Sequence, residues 1–373
     1  MIAPNKAIIF FCSDGNSLVN FRGTLIKDFI SKGYTVSAIA PNISSENKKF
    51  LQILNVKLDL ISFQRKSLNP FSAAISFISV VKIIKATRPQ LVFSYTHKPV
   101  VLGALASYLC RVPKIISLIT GTGHIFDQHN LVTRIKRLIG LIGFKLALKV
   151  SHFVIFQNKD DQSLFINLDL VDSLKTSVVN GSGVDLEHFY QSPLPSELTF
   201  LCLARLIKSK GLHEYANACK LVRAKIPNAK FLLGGSPDIH NDSIDINEIK
   251  KTWKDKYGID YIGYVQDPRE AIKKCSVYVL LSYNEGTPRT VLEAMAMGRP
   301  IITTDVNGCR ETVQNSVNGY LVPMFDHENA ANHMLEFTDI ELIQNMGAES
   351  RKYCEIKYDV NKVNASIFKI LES

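Results

Sequence analysis

Residues 284–313 read NEGTPRTVLEAMAMGRPIITTDVNGCRETV, and they contain two glutamates, Glu285 and Glu293, with seven residues between them. The apolar residues 278–281 just before this stretch predict the end of a β-strand. Glu285 is therefore expected in the loop that follows a strand, and Glu293 in the second turn of the helix after that loop. The pattern of strand, loop and helix is typical of one βα unit of a parallel sheet.

The same stretch contains the signals that begin and end a helix. Thr287 predicts the N-cap, Pro288 the first helical residue and Gly298 the end of the helix. The amides of residues 286–287 are then expected at a helix N-terminus, where unpaired N–H groups and the helix dipole favour an anion. The loop before this helix is therefore a predicted phosphate-binding site.

The two glutamates suggest ligands rich in hydroxyl groups. A carboxylate accepts hydrogen bonds from two neighbouring hydroxyls, and a nucleotide sugar carries hydroxyl clusters at both ends of its diphosphate. Each glutamate could bind one end of such a molecule. The residues alone leave a second interpretation open, in which Glu285 is a solvated loop acid and Glu293 lies on the helix surface.

The size and composition of the chain predict a folded protein of two domains. Its 373 residues exceed the usual length of one domain, and 46% are apolar while 21% are charged. The net charge of +10 is uneven, because residues 1–190 hold 22 Lys and Arg against 11 Asp and Glu, whereas residues 191–373 hold 22 against 23. The first half is expected to meet an anionic partner, either a membrane, a nucleic acid or a phosphorylated substrate, unless these lysines only solvate a surface.

Other features narrow the class of protein. The seven cysteines are scattered, and no CxxC pair predicts a zinc site or a disulfide framework. The first residues, MIAPNKAIIFFCSDGN, are typical of a first strand rather than a signal peptide. The apolar residues 70–86 are too short and too interrupted to span a bilayer, and they predict a buried helix.

Short apolar runs alternate with helical patterns along the whole chain. This rhythm stops at a Pro- and Ser-containing stretch, residues 191–198, and then begins again. The sequence therefore predicts an α/β protein with two doubly wound, Rossmann-like domains. Because ligands bind beyond the carboxyl ends of parallel strands, the two domains are expected to face one another across a cleft that binds the substrates.

Nucleotide-binding fingerprints of other enzyme classes are missing. The loop after the first strand, SDGNSLVNFRG, and the segment GTGHIF (121–126) both lack the full GxGxxG pattern, so a nicotinamide dinucleotide site is disfavoured. No GxxxxGK[ST] segment indicates a kinase. The basic first half also lacks a recognisable nucleic-acid-binding domain.

The stretch 285–313 resembles the E-x7-E motif of family 4 of the retaining glycosyltransferases, in the branch that builds bacterial surface polysaccharides and lipid-linked oligosaccharides. Three further segments carry the same resemblance over most of the chain: LCLARLIKSKG (201–211) with its Arg-x4-Lys-Gly pattern, SVVNGSGVDLEHF (177–189), and the glycine loop with NFRG. The resemblance implies the GT-B fold. Its parts would be an acceptor-binding domain over 1–190, a donor domain over 191–345, and a C-terminal helix, 346–373, that crosses back to the first domain.

The resemblance also implies roles for residues of the second half. Glu285 would bind the hydroxyls of the donor sugar, Glu293 the ribose, and Arg205 with Lys210 the donor diphosphate. Further donor contacts are expected from the E-x7-E loop and from the loop after the first strand: Gly286, Thr287, Pro288, Arg289, Gly15 and Asn16. The resemblance implies transfer with retention of configuration. Two cations beside a helix N-terminus can neutralise a departing nucleoside diphosphate, so the transfer is expected to need no metal or other cofactor.

Residues of the first half are candidates for the reacting centre and for the acceptor. Relatives in this family carry a histidine near the reacting centre, and His124 and His97 both follow predicted strands here, where either could act or only cap a loop. Arg65, Lys98 and Arg22 are candidate acceptor-binding residues, with solvated surface positions as the alternative.

Residues 131–153, LVTRIKRLIGLIGFKLALKVSHF, combine five cations with leucines and isoleucines and are expected to lie on anionic lipid. An ordinary helix packed on the sheet is the alternative.

The expected enzyme is cytoplasmic and peripheral on the inner membrane face. It would move a hexose or N-acetylhexosamine from a UDP-sugar to a lipid-diphosphate-linked saccharide. The rival interpretations are a UDP-N-acetylglucosamine 2-epimerase and a subunit that binds nucleotide sugar without turnover.

Overall fold

The computed structural model describes residues 6–62, 70–122, 131–238 and 242–372, with side chains for all of these except 70, 71 and 131–139. The chain forms two compact units. The first unit comprises residues 1–182 with 364–373, and the second comprises residues 183–363. Among the described residues, no helix combines the length and the apolar character needed to cross a membrane.

The first unit is built on a seven-stranded parallel sheet in the order β3-β2-β1-β4-β5-β6-β7. The strands are β1 Ala7–Phe11, β2 Thr35–Ala40, β3 Lys57–Leu60, β4 Leu91–Tyr95, β5 Lys114–Ile119, β6 Phe153–Phe156 and β7 Thr176–Val178. The helices are α1 Asn16–Asn20, α2 Gly23–Ser31, α3 Ser45–Ile53, α4 Pro70–Thr87, α5 His97–Leu109, α6 Leu131–Val150 and α7 Lys159–Asn167. The last helix, α15 Val360–Glu372, belongs to this unit from residue 364 onward. Every residue of β1 and β4 is buried, as expected for strands that helices cover on both faces.

The second unit has a six-stranded parallel sheet in the order β10-β9-β8-β11-β12-β13. Its strands are β8 Thr199–Leu203, β9 Lys230–Gly234, β10 Ile259–Gly263, β11 Val277–Leu280, β12 Ile301–Thr304 and β13 Gly319–Val322. Its helices are α8 Leu212–Lys225, α9 Ile246–Glu248, α10 Lys254–Tyr257, α11 Pro268–Ile272, α12 Arg289–Ala296, α13 His327–Glu336 and α14 Ile340–Lys357, and a π-helical turn, Ile249–Trp253, joins α9 to α10. The two doubly wound sheets predicted from the sequence are confirmed.

Each sheet has one point where the strand order reverses, between β1 and β4 in the first unit and between β8 and β11 in the second. The loops that leave two such neighbouring strands diverge to opposite faces and leave a crevice at the carboxyl edge of the sheet. The quoted stretch begins in the loop after β11. The fold therefore places Glu285 at the switch point of the second unit.

The predicted linker, residues 191–198, contains no helix or strand, and it packs within the second unit. The buried guanidinium of Arg299 donates hydrogen bonds to the Ser192 carbonyl at 2.8 Å and to the Pro193 carbonyl at 2.9 Å. A buried arginine is stable only when such acceptors surround it. These contacts fix the segment to the core of the unit.

Two local predictions need correction. Pro288 is the N-cap of α12, with an extended ψ of 107°, and the helix begins at Arg289, so the predicted start is one residue early. Gly298 ends the helix as predicted, with φ at +78°. The segment 70–86 is helical as predicted, but the expectation that it is buried is wrong for one face, where Ile75 and Ile78 are exposed because α4 packs on the sheet through its other side.

Candidate active site

The loops after β8 and β11 meet at the switch point of the second sheet. Gly211, which follows the turn Lys208–Lys210, has φ at +64°, and a Cβ on this residue would collide with the Leu281 carbonyl. Only glycine allows the two loops to approach this closely. The contact brings Lys210 beside the loop that carries Glu285.

Lys210, Ser282 and Glu285 form a polar cluster. The Lys210 ammonium and the Ser282 hydroxyl, the latter at 2.8 Å, both donate to Oε1 of Glu285. The side chains of Lys210 and Glu285 are only 15% and 16% exposed. The Glu285 amide also donates to the Asn307 carbonyl at 3.2 Å, so the loop backbone is held as well as the carboxylate.

Arg205 and Lys210 both follow β8, but their side chains pair with different acids. Its Nη1 donates to Asp238 Oδ2 at 2.6 Å, and Asp238 comes from the loop after β9. The two loops run together because Leu206 donates its amide to the Ser236 carbonyl at 3.0 Å. The Arg205 side chain remains nearly half exposed, so the guanidinium is accessible to an anionic ligand.

Glu293 is buried inside the second turn of α12, with 9% of its side chain exposed. Its Oε1 accepts a hydrogen bond from Arg289 Nε at 2.9 Å, and Arg289 in turn donates to the Gly183 carbonyl. Within the described ranges, Oε2 has no hydrogen-bond partner. Burial raises the pKa of this carboxyl, and the nearby guanidinium offsets only part of that rise.

An unpartnered buried oxygen is costly unless a ligand supplies a donor. Glu293 therefore has one oxygen that could accept a hydrogen bond from a ligand. This excludes the alternative in which Glu293 is a helix-surface residue.

The loop between the glutamates lies against the helix start. Gly286 and Pro288 are buried, and the Thr287 hydroxyl donates to the Gly286 carbonyl at 2.8 Å. α12 begins without a side chain that caps its first amides. The positive end of its dipole is thus directed towards the loop that also holds Glu285.

The buried Glu293 carboxyl predicts a pH-dependent stability. The raised pKa means that the fold favours the protonated form, so the destabilisation is absent below the ordinary pKa of glutamate and grows as the pH rises through the higher folded pKa. In the ligand-free protein, Glu293→Gln is expected to raise the melting temperature at pH 8 by more than at pH 5. Thermal unfolding between pH 5 and 8 measures the difference.

The matched control is Glu270→Gln, which alters an exposed ion pair with Lys273 and should change little at any pH. A Glu293→Gln protein that is less stable than the wild type throughout this range would show that the Arg289 pair outweighs the cost of burial.

The first-unit residues predicted for the donor lie at the carboxyl edge of the first sheet. The Gly15 amide donates to the Asn42 carbonyl at 2.9 Å. Asn16 Oδ1 accepts hydrogen bonds from the Ser44 amide at 2.9 Å and from Asn47 Nδ2 at 3.0 Å. Both residues therefore join the loop after β1 to the loop after β2.

His97 lies at the start of α5, beyond β4. Its Nε2 is 2.9 Å from the Gly121 carbonyl in the loop after β5, and its ring packs edge-on against Phe144 at 5.5 Å. Burial lowers the pKa of the neighbouring Lys98 ammonium. The loops after β1 and β4 are also joined, because Thr96 donates to the Ser13 hydroxyl at 2.8 Å.

Arg22 is buried, with its guanidinium 5.6 Å from the centre of the Tyr95 ring. This cation–π contact stabilises the packing of the loop after β1. Arg65 and His124, the other two first-half candidates, lie outside the described residues.

The sequence prediction missed several residues that hold the site. Ser282 carries a usable signal, since it precedes Glu285 by three residues in the same loop. Asp238 has no recognisable sequence signal, because its pairing with Arg205 depends on the adjacency of β8 and β9. Tyr283 is a third case, since its hydroxyl donates to Glu214 of α8 at 2.9 Å and so fixes the Glu285 loop. In the part of the chain with described side chains, no group of three His, Cys, Asp or Glu residues could hold a metal.

Two family models match the chain in its two halves. "Glycosyl transferase 4-like" matches residues 8–158, and "Glycosyl transferases group 1" matches residues 197–339. The N,N'-diacetylbacillosaminyl-diphospho-undecaprenol alpha-1,3-N-acetylgalactosaminyltransferase of Campylobacter jejuni is 25% identical over 97% of both chains. The UDP-Gal:alpha-D-GlcNAc-diphosphoundecaprenol alpha-1,3-galactosyltransferase of Escherichia coli is 25% identical over 74% of this chain and 73% of its own.

Solved structures show the same fold. Anabaena Alr3699/HepE in complex with UDP has a TM-score of 0.76 at 20% identity, covering 98% of this chain and 99% of its own. Sucrose-phosphate synthase from Thermosynechococcus elongatus has a TM-score of 0.80 at 16% identity, covering 98% of each chain. Together with the two parallel sheets and the E-x7-E loop at the switch point of the second, these matches show that the chain belongs to the GT-B glycosyltransferases of family 4.

Proposed function

We propose that this glycosyltransferase moves a hexose or N-acetylhexosamine from a UDP-sugar to a lipid-diphosphate-linked saccharide, with retention of configuration and without a metal. The observation that carries the proposal is the pair of held carboxylates at one switch point. Glu285 is fixed by Lys210 and Ser282, and Glu293 is buried with one oxygen available for a ligand. Both carboxylates suit the hydroxyls of a nucleotide sugar.

The donor site follows from the charges around these carboxylates. Arg205 and Lys210 bind the diphosphate, Glu293 accepts the ribose hydroxyls, and Glu285 positions the donor sugar. Lys210 has three N–H donors, so it can bind a phosphate oxygen and keep its contact with Glu285. The choice of UDP as the nucleotide is supported by the similar Anabaena structure, which was solved in complex with UDP.

Charge compensation in the transition state supports the absence of a metal. As the bond to the sugar breaks, negative charge develops on the leaving diphosphate, and two fixed cations and the N-terminus of α12 can stabilise it. On the retaining path that the family resemblance implies, the leaving phosphate also accepts the proton of the acceptor hydroxyl. Glu285 then acts by positioning and electrostatics, and it is not a nucleophile.

The acceptor class is supported by the names of the relatives. The proteins of Campylobacter jejuni and Escherichia coli are named for acceptors on diphospho-undecaprenol. An acceptor of this kind is anchored in the bilayer, so its sugar stays at the membrane surface. We place the enzyme accordingly in the cytoplasm, peripheral on the inner face of the membrane.

Thermal unfolding with a panel of UDP-, GDP- and ADP-sugars tests the donor site. A ligand at 100 times its dissociation constant adds about 2.7 kcal/mol of stability. We expect a clear rise in melting temperature with one UDP-sugar, which should persist in excess EDTA. Stabilisation by a GDP- or ADP-sugar alone would contradict the assignment of UDP.

Transfer is then measured with that donor and a lipid-diphosphate-linked saccharide, with and without EDTA. Product with the donor's anomeric configuration, at equal rates in both conditions, is the expected result. An inverted product would contradict retention, and loss of activity in EDTA that Mg²⁺ restores would contradict metal independence. Formation of the manno epimer from UDP-N-acetylglucosamine alone would instead identify an epimerase, while donor binding without transfer would indicate a silent subunit.

A further inference from the structure

Three helices form the outer layer on one face of the first sheet. Val80 and Ile84 of α4, Ala104 of α5 and Ala147 of α6 belong to one buried cluster together with Val92 of β4. The helices therefore pack side by side on the same side of the strands, with α5 in the middle. We call the opposite, solvent-facing side of α4, α5 and α6 the outer helix face.

The outer helix face carries large apolar side chains in the water. Six of them are between 51% and 65% exposed: Ile75, Ile78, Tyr108, Leu109, Ile142 and Leu146. Single exposed apolar residues are common on soluble proteins, but a group on three adjacent helices indicates an interaction surface. The buried side of α4 packs into the core of the first unit, whereas Ile75 and Ile78 lie on its exposed side and are not part of that core.

The same region is strongly cationic. The sequences of α4, α5 and α6 together contain eight Lys and Arg and no acidic residue, and one of these cations, Lys145, pairs with Asp169 after α7 at 2.6 Å. On α4, the exposed stripe continues from Ile75 and Ile78 to Lys82 and Lys85 at helical spacing. α6 repeats the mixture, with the exposed Lys145 and Lys149 next to its exposed apolar residues.

We propose that the outer helix face docks on the surface of an anionic lipid bilayer, with the exposed apolar residues in the interfacial region and the lysines at the lipid phosphates. Lysine suits this position because its stem lies along apolar surface while its ammonium remains among the headgroups. A second copy of the chain is a poorer occupant, since a symmetric contact would place this cationic face against itself. The proposal rests on the membrane location in the proposed function and names the surface that achieves it.

Vesicle flotation without any substrate tests the docking directly. The full-length protein is expected to float with vesicles that contain phosphatidylglycerol and to stay behind with vesicles of phosphatidylcholine alone. Ile75→Ser with Ile78→Ser should reduce the bound fraction at least tenfold at equal lipid. Lys82→Glu with Lys85→Glu should reduce it similarly at low salt, with a smaller difference at high salt because the attraction is screened.

Matched controls come from α3, which lies outside the outer helix face. Ile53→Ser removes an isoleucine that is 80% exposed, and Lys48→Glu with Lys49→Glu reverses two exposed lysines. Both controls should bind vesicles like the wild type. Failure of the wild type to float with anionic vesicles, or equal loss in the α3 controls, would overturn the assignment of this face.

A separate readout distinguishes this inference from the proposed function. Stabilisation by the UDP-sugar reports on the donor site and not on the outer helix face, so all variants should retain it. A protein that binds vesicles but no UDP-sugar would contradict the proposed function and leave the docking face intact. A protein that binds UDP-sugar but no anionic vesicle would contradict the docking face and leave the proposed donor site intact.

Discussion

Replacement of Glu285 by alanine is expected to lower the rate of sugar transfer at least 100-fold while UDP binds nearly as tightly as before. Removal of one electrostatic group from a transition-state site costs about 10²–10³ in rate. UDP has no donor sugar, so it does not need the Glu285 carboxylate. The loss of Glu285 also leaves the Lys210 ammonium available to the diphosphate.

Two measurements check this expectation: the single-turnover rate with saturating donor, and the dissociation constant of UDP by calorimetry. Glu270→Ala is the matched control, because it removes an exposed glutamate that pairs with Lys273 in the same unit and should alter neither quantity. Arg205→Ala should weaken both UDP binding and transfer. Near-normal turnover of the Glu285→Ala enzyme would remove this residue from the proposed mechanism.

Gly211→Ala is expected to destabilise the second unit by about 2–5 kcal/mol. A left-handed backbone conformation costs an alanine about 1–2 kcal/mol, and overpacking against a fixed backbone costs about 1–3 kcal/mol. The new Cβ would collide with the Leu281 carbonyl, so the loops after β8 and β11 would have to separate. Lys210 and Glu285 would then lose their contact, and the donor site would be lost with it.

Gly263→Ala is the control that separates the cost of the backbone conformation from the cost of the steric collision. Gly263 also has a positive φ, +78°, but nothing lies within 4 Å of a Cβ built there. This control should cost only the backbone part, about 1–2 kcal/mol. Denaturant unfolding and UDP-sugar stabilisation of both variants provide the comparison, and equal behaviour of the two would show that the loop contact at Gly211 is unimportant.

Local sequence patterns were sufficient for most of the fold. The alternation of apolar runs and helical segments predicted both parallel sheets, because buried parallel strands are apolar on both faces. The helix that carries Glu293 was predicted within one residue at its start, since Pro288 fits both the N-cap and the first helical position. The same patterns could not show that α4 exposes two isoleucines, because an apolar helix has the same composition whether one side or both are covered.

Short sequence patterns also predicted part of the candidate site. The E-x7-E and Arg-x4-Lys patterns, through the family resemblance that they carry, marked Glu285, Glu293, Arg205 and Lys210 as candidates for the donor site. They did not show which acid meets which cation, and the structure pairs Lys210 with Glu285 and Arg205 with Asp238. The roles of these residues in catalysis stay predictions that the variants above test.

The sequence by itself determined the two α/β units and the approximate positions of their strands, and it marked candidate residues for a nucleotide-sugar site. Only the tertiary structure decided the partners of those residues, since Lys210 and Glu285 lie 75 positions apart and meet because β8 and β11 are neighbours at the switch point. It also decided that Glu293 is buried, with one carboxylate oxygen that has no hydrogen-bond partner among the described residues. The physical reason is that hydrogen bonding and burial depend on the order of strands in the sheet, which distant parts of the chain set together.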